Sequence, residues 1–132
     1  MPEDSRIALS QYRLSKAETC LTAAQNLLED ELYLDSVNRS YYAIFHAIRS
    51  ILALRGLDFK KHSGVIPFFQ KEYVKTGIFN SDFSDIARSA FNIRQHCDYD
   101  DFYILSKEKV ILQLENAQRF VSGVKDYLKT IT

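Results

Sequence analysis

A chain of 132 residues with 46% hydrophobic and 26% charged side chains can fill one core but is too short for two ordinary domains. Seventeen basic and seventeen acidic residues give a formal net charge of zero. That excludes whole-molecule attraction to nucleic acid and leaves any such binding to a local patch.

No apolar run reaches the roughly 20 residues of a membrane span, because His46, Arg49 and Arg55 interrupt the best candidates. The opening Met-Pro-Glu-Asp lacks the basic and apolar parts of a secretion leader, so a cytoplasmic location is expected. Cys20 and Cys97 fit neither a metal spacing nor a disulfide framework and are read as reduced core residues. Only four glycines and two prolines punctuate the chain, so long helices are expected.

The first segment, roughly Asp4 to Asp30, carries Leu14, Ala17, Leu21, Ala24 and Leu28 at three- and four-residue steps, one apolar stripe of an α-helix. A second helix is expected from an N-cap at Asp35 to a C′ residue at Gly56. Val37, Tyr41, Ile44, Ile48 and Ile51 form its main stripe, and Tyr42, Phe45 and Leu52 form another. A helix apolar on two sides is buried on two sides, so this one is expected at the centre. Ser63 to Thr76 predicts a shorter helix ending at Gly77, with Pro67 tolerated in its first turn. Ser81 is expected to cap a fourth helix bearing Phe83, Ile86, Ala90, Ile93 and Cys97. The pattern breaks between Tyr99 and Leu105, and Ser106 is expected to cap a last helix with Val110, Leu114, Ala117, Val121, Val124 and Leu128 inward. No segment alternates as a strand would. The expected architecture is a single all-α domain over residues 1–132, a five-helix up-and-down bundle.

Polar groups interrupt the apolar helices at two places. In the second helix, Arg39, Tyr42 and His46 follow at steps of three and four, so one face carries a guanidinium, a phenol and an imidazole, with Asn38 beside them. Arginine for phosphate, tyrosine for stacking and histidine as donor make an anion or nucleotide pocket; the same groups can also simply satisfy one another between packed helices. At the end of the fourth helix, Arg94 and Asp98 are four residues apart and can pair. Either Asp98 aims Arg94 at a phosphate, or the two are an ordinary intrahelical ion pair. His96 lies about 200° round the helix from Arg94 and faces away from it. His62, ahead of the third helix, is a further candidate for the anion site.

There is no Walker loop, dinucleotide glycine fingerprint, His-Glu-x-x-His or glycine-flanked nucleophilic serine, and no carboxylate set for a di-metal bundle. No metal or other cofactor is expected.

Taken in order, Asn38-Arg39-Ser40-Tyr41-Tyr42-Ala43-Ile44-Phe45-His46, then Lys61-His62-Ser63-Gly64-Val65-Ile66, then Arg94-x-x-x-Asp98-Tyr99 resembles the signature of small stand-alone HEPN proteins. The resemblance runs from about Leu14 to Leu128. It implies an up-and-down bundle that pairs into a symmetric homodimer, often beside a minimal nucleotidyltransferase in a toxin–antitoxin pair. Many members are metal-independent RNases in which an arginine and a histidine four to six residues further on promote attack by the RNA 2′-hydroxyl. Here the arginine is Arg94, but the histidine positions hold Tyr99, Asp100 and Asp101. The family's nucleotidyltransferases can adenylylate a tyrosine next to this motif, and Tyr99 is the residue such chemistry would use. The leading expectation is a toxin or RNA-processing subunit with Arg94, Asp98 and Tyr99 as its catalytic group at a dimer cleft. One alternative is a non-catalytic, nucleotide-binding or regulatory partner of a nucleotidyltransferase. The other is a dimeric helical scaffold.

Overall fold

The computed structural model describes residues 2–59 and 61–132, and among them five α-helices and no strand. Helix α1 (Glu3–Glu29) and helix α2 (Tyr33–Leu54) are joined by three residues. The turn is tight because Glu31 takes the left-handed conformation (φ 61°), with its N–H on the Leu28 carbonyl and that of Leu32 on Leu27. Helix α2 therefore begins two residues before Asp35, with Leu32 in the capping position, which corrects the expected start. Asp35 sits in the first turn, where its charge faces the positive end of the helix dipole. At the other end Gly56 (φ 66°) fills the expected C′ position, and the N–H of Leu57 reaches back to the Leu52 carbonyl at 3.0 Å.

The expected single helix over Ser63–Thr76 is three pieces. A 3-10 turn (His62–Gly64) leads into helix α3 (Val65–Phe69), which widens into a π turn (Gln70–Val74) closed by Lys75 N–H on the Gln70 carbonyl. Phe69 and Tyr73 are both buried there, stacked with ring centroids 5.9 Å apart. Helix α4 (Ser81–Tyr99) starts at Ser81, with Asn80 as its cap residue. The Asn80 carbonyl accepts from Phe83 N–H, so the expected Ser81 cap is displaced by one residue. Helix α5 (Lys107–Ile131) is capped as expected, Ser106 Oγ accepting from Lys109 N–H at 3.2 Å.

Among the described residues α2 is the one helix that packs against all four others. Its two apolar sides dictate this: Tyr41, Ile44, Ile48, Ile51 and Leu52 are all essentially inaccessible. Each fully buried large side chain stabilises the fold by roughly 1.5–3 kcal/mol, which favours the central position for this helix. On α1 the inward face is rotated slightly from the expected stripe. Ser10, Arg13, Ala17, Cys20, Ala24 and Leu28 are buried, while Leu14 and Leu21 flank the core. A smaller cluster of Ala24, Leu28, Val37, Ile93, Leu105, Val110 and Leu114 closes the end where α1 and α4 finish. Cys20 and Cys97 are unpaired, and burial raises both thiols, that of Cys97 to about 11. No described helix is long and apolar enough to cross a membrane.

Gly123 lets α5 approach α4, since a Cβ placed there would lie 2.5 Å from Phe83 Cζ. Alanine would gain up to about 1 kcal/mol of helix propensity, but the buried Phe83 ring must move, at about 1–3 kcal/mol. Gly123→Ala is expected to lower stability by about 1 kcal/mol in urea unfolding; a more stable variant would show that the ring yields freely.

Candidate functional site: a cationic, aromatic face on the central helix

Steps of three and four set Arg39, Tyr42, His46 and Arg49 along one side of α2. Helix α4 delivers Arg94 to the same side. Its Nη2 donates to Tyr42 Oη at 3.2 Å, and its guanidinium lies 5.2 Å from the Tyr41 ring centroid and 5.5 Å from that of Tyr42. Arg94 Nε is 2.9 Å from Asp98 Oδ2, but the N–H is not aligned on the carboxylate. The contact is therefore an ion pair rather than a good hydrogen bond. Arg39 lies 5.1 Å from the Tyr42 centroid, and its Nη2 donates to Asn38 Oδ1 at 2.8 Å. The electron-rich face of Tyr42 thus attracts two guanidiniums that repel each other, each contact worth about 0.5–2 kcal/mol.

His62 comes from the 3-10 turn and lies over this aromatic set, its ring 4.3 Å from Phe45 and 6.4 Å from Tyr42. His46 packs on Tyr42 and Phe45 at 6.1 and 5.7 Å, with Nδ1 buried and without a hydrogen-bond partner. Burial, reinforced by Lys16, Arg49, Arg39 and Arg13, lowers the His46 pKa to about 4, so the imidazole is neutral at pH 7. Ser40 and Tyr41 are also buried on α2 with hydroxyls unpartnered. Buried polar groups without partners cost roughly 1–3 kcal/mol each.

The structure brings Asn38, Arg39, Tyr42, His46, His62, Arg94 and Asp98 to one region. It does not bring Tyr99 to Arg94: Tyr99 ends α4 with 73% of its surface exposed. His96 turns away as expected, pairing through Nδ1 with Asp100 and stacking on Tyr103 at 5.3 Å. Among the described residues no cluster of three metal-ligating side chains occurs.

Sequence patterning did not single out Arg13, Arg49 and Asp58. Arg13, buried on α1, donates to the Arg49 carbonyl at 3.1 Å and contacts Asp58 at 3.4 Å, while Arg49 reaches Asp58 at 3.2 Å. Burial and the nearby Arg49 lower the Arg13 pKa. Desolvation opposes ionisation of Asp58, but Arg49, the Phe59 N–H and Arg13 together hold its carboxyl below the usual value. The available signal was Arg13 three residues after Ser10 and four before Ala17, a charged residue within a buried stripe.

The model of the HEPN domain family matches residues 10–127 of the chain. A Methanocaldococcus jannaschii protein named provisionally as a toxin, MJ0142, is 35% identical over 115 residues, covering 87% of this chain and 78% of its own. A second with the same provisional toxin name, MJ0605, is 37% identical over 121 residues, 92% of this chain and 90% of that one. A UPF0332 protein of Thermotoga maritima is 32% identical over 121 residues and 92% of each chain. The chain belongs to the HEPN domain family.

The lowered pKa of His46 has a sign that can be checked. Between pH 6.5 and about 4 the unfolded chain takes up a proton that the folded imidazole refuses. The stability present above pH 6.5 is therefore lost as pH falls through that window, by about 1–3 kcal/mol for a partly buried group. His46→Leu is expected to flatten urea-derived stability between pH 7.5 and pH 4.5. An unchanged slope would show that His46 titrates alike in both states.

Proposed function

We propose that this chain is a toxin-type HEPN subunit that engages RNA through a phosphate held at Arg94, with Arg39 and Tyr42 beside it. The posture of Arg94 carries the reading. The guanidinium lies across two phenol rings, is restrained by Asp98, and makes no hydrogen bond through Nη1 among the described residues. A planar cation fixed in this way offers a paired-donor edge that matches phosphate oxygens. The provisional toxin names of two relatives support the same direction.

In cleavage the ribose 2′-hydroxyl attacks the adjacent phosphorus, the bond to the 5′-oxygen breaks, and Arg94 neutralises charge on the phosphoryl oxygens. That route calls on no metal ion. It does call on a proton acceptor for the 2′-hydroxyl and a proton donor for the departing 5′-oxygen, and the family's histidine positions are here Tyr99, Asp100 and Asp101. Tyr42, which accepts from Arg94, and His62, packed near it, are the titratable groups at hand. Pairing into a symmetric homodimer would set two copies of Arg94 across one cleft and concentrate cationic charge on a neutral molecule.

The test is incubation of purified protein with total RNA in EDTA, wild type beside Arg94→Ala. The variant is expected to lose cleavage, and growth inhibition on expression, by at least about 100-fold while keeping its helical circular dichroism. A folded variant as active as wild type ends the reading.

The exposure of Tyr99 favours a second reading, in which the chain is regulated by a minimal nucleotidyltransferase. A phenol standing free at the end of α4 is open to a modifying partner. Co-expression with such an enzyme is expected to add adenylate to the intact mass, and Tyr99→Phe to abolish the addition. Absence of any adduct, or its persistence in the variant, ends that reading.

A further inference from the structure

Between α4 and the His62–Gln70 segment lies a cleft of about 370 Å³ that the phosphate site does not use. This is within the range of small-ligand sites, which are mostly apolar with a few placed polar groups. Ile66 and Phe91 give it apolar walls, and His62 forms one rim. One N–H of Gln70 Nε2 donates to Ser84 Oγ at 2.7 Å, and the amide oxygen is left as an acceptor. Asn92, exposed at the edge, makes no side-chain hydrogen bond among the described residues, so both its donor and acceptor are available. Arg88 stands at the mouth, tied only to Asp85 by an exposed 3.5 Å contact.

Two rings that line the cleft also pack against the aromatic residues of the Arg94 cluster. His62 borders it and also packs on Phe45 and Tyr42. Phe91 lines it and lies 6.1 Å from Tyr41, whose face carries the Arg94 guanidinium. An aliphatic ligand would satisfy the walls and strand the amides. A bare phosphate would suit Arg88 and be desolvated against Ile66 and Phe91. A flat heteroaromatic with donors and acceptors on its edge suits both sets of groups.

We infer that this cleft is a nucleobase subsite, taking one unstacked base of a single-stranded RNA whose phosphate rests on Arg94. The inference deepens the RNA reading above and rests on it. It places base selectivity first in Gln70 and Asn92, whose amides can read a base edge, and leaves the phosphate cluster indifferent to sequence.

Free nucleosides test the cleft without engaging the phosphate site, because they carry no phosphate. Adenosine, guanosine, cytidine and uridine, with ribose as the control, are titrated into isotope-labelled protein and followed by amide NMR shifts. At least one nucleoside is expected to move the resonances of Ile66, Phe91 and Asn92, and ribose to move none. Asn92→Trp, an exposed substitution that fills the mouth, is expected to weaken nucleoside binding by about tenfold or more. Three outcomes overturn the inference: no shift with any nucleoside, the same shifts with ribose, or full binding by Asn92→Trp. Nucleoside binding alongside inert RNA and growth assays would overturn the RNA reading and spare the cleft; active RNA assays with silent nucleosides would do the reverse.

Discussion

The contact on which the site depends is the guanidinium of Arg94 lying on the rings of Tyr41 and Tyr42. A charge can be held largely out of water only where other groups replace its hydration. Here two π faces, one phenol oxygen and the Asp98 carboxylate do so. That requirement fixes the register of α4 against α2, because the two tyrosines stand on α2 and the carboxylate stands one turn beyond Arg94 on α4. It also explains why an i,i+4 ion pair matters here more than it would on an open surface: Asp98 balances a cation that is only 18% exposed.

The same economy extends along α2. The helix must present apolar surface to α1, α3, α4 and α5, yet it also carries Arg39, Tyr42, His46 and Arg49 on one side. Aromatic rings reconcile the two demands, since their edges pack like hydrocarbon and their faces accept cations. Arg39 uses Tyr42, Arg49 lies 5.7 Å from the Phe45 centroid, and the His62 ring packs 4.3 Å from Phe45. Toward the far end the aromatic supply stops and Asp58 takes over, binding Arg13 and Arg49 together. His46 is kept neutral first by burial and then by the cations around it, Lys16, Arg49, Arg39 and Arg13. The basic side chains of this face are thus held by aromatic rings and by two carboxylates, Asp58 and Asp98.

Much of the fold was legible because periodicity is local. The double stripe of α2 announced burial on two sides, and the glycine at position 56 and the serine at position 106 end and begin helices where expected. The misreadings were also local in cause. Asp35 and Ser81 are good capping residues, but the chain turned earlier, through a left-handed Glu31 in one case and through Asn80 in the other. The third segment reads as one helix because its apolar spacing averages to helical. Phe69 and Tyr73, four residues apart, share a face in an α-helix too, so the spacing carries no mark of the division into 3-10, α and π turns.

For the site, the sequence by itself determined which side chains share a helix face: Arg39 with Tyr42 and His46, and Arg94 with Asp98 but not with His96. These follow from 3.6 residues per turn and need no partner helix. Only the tertiary structure decided that Arg94 meets Tyr42 across 52 positions of sequence, that Asp58 joins Arg13 to Arg49, and that Tyr99 is left in solvent. The reason is physical: contacts between helices depend on crossing geometry and on how far each loop lets its helices slide, and neither is written in the spacing of a single helix.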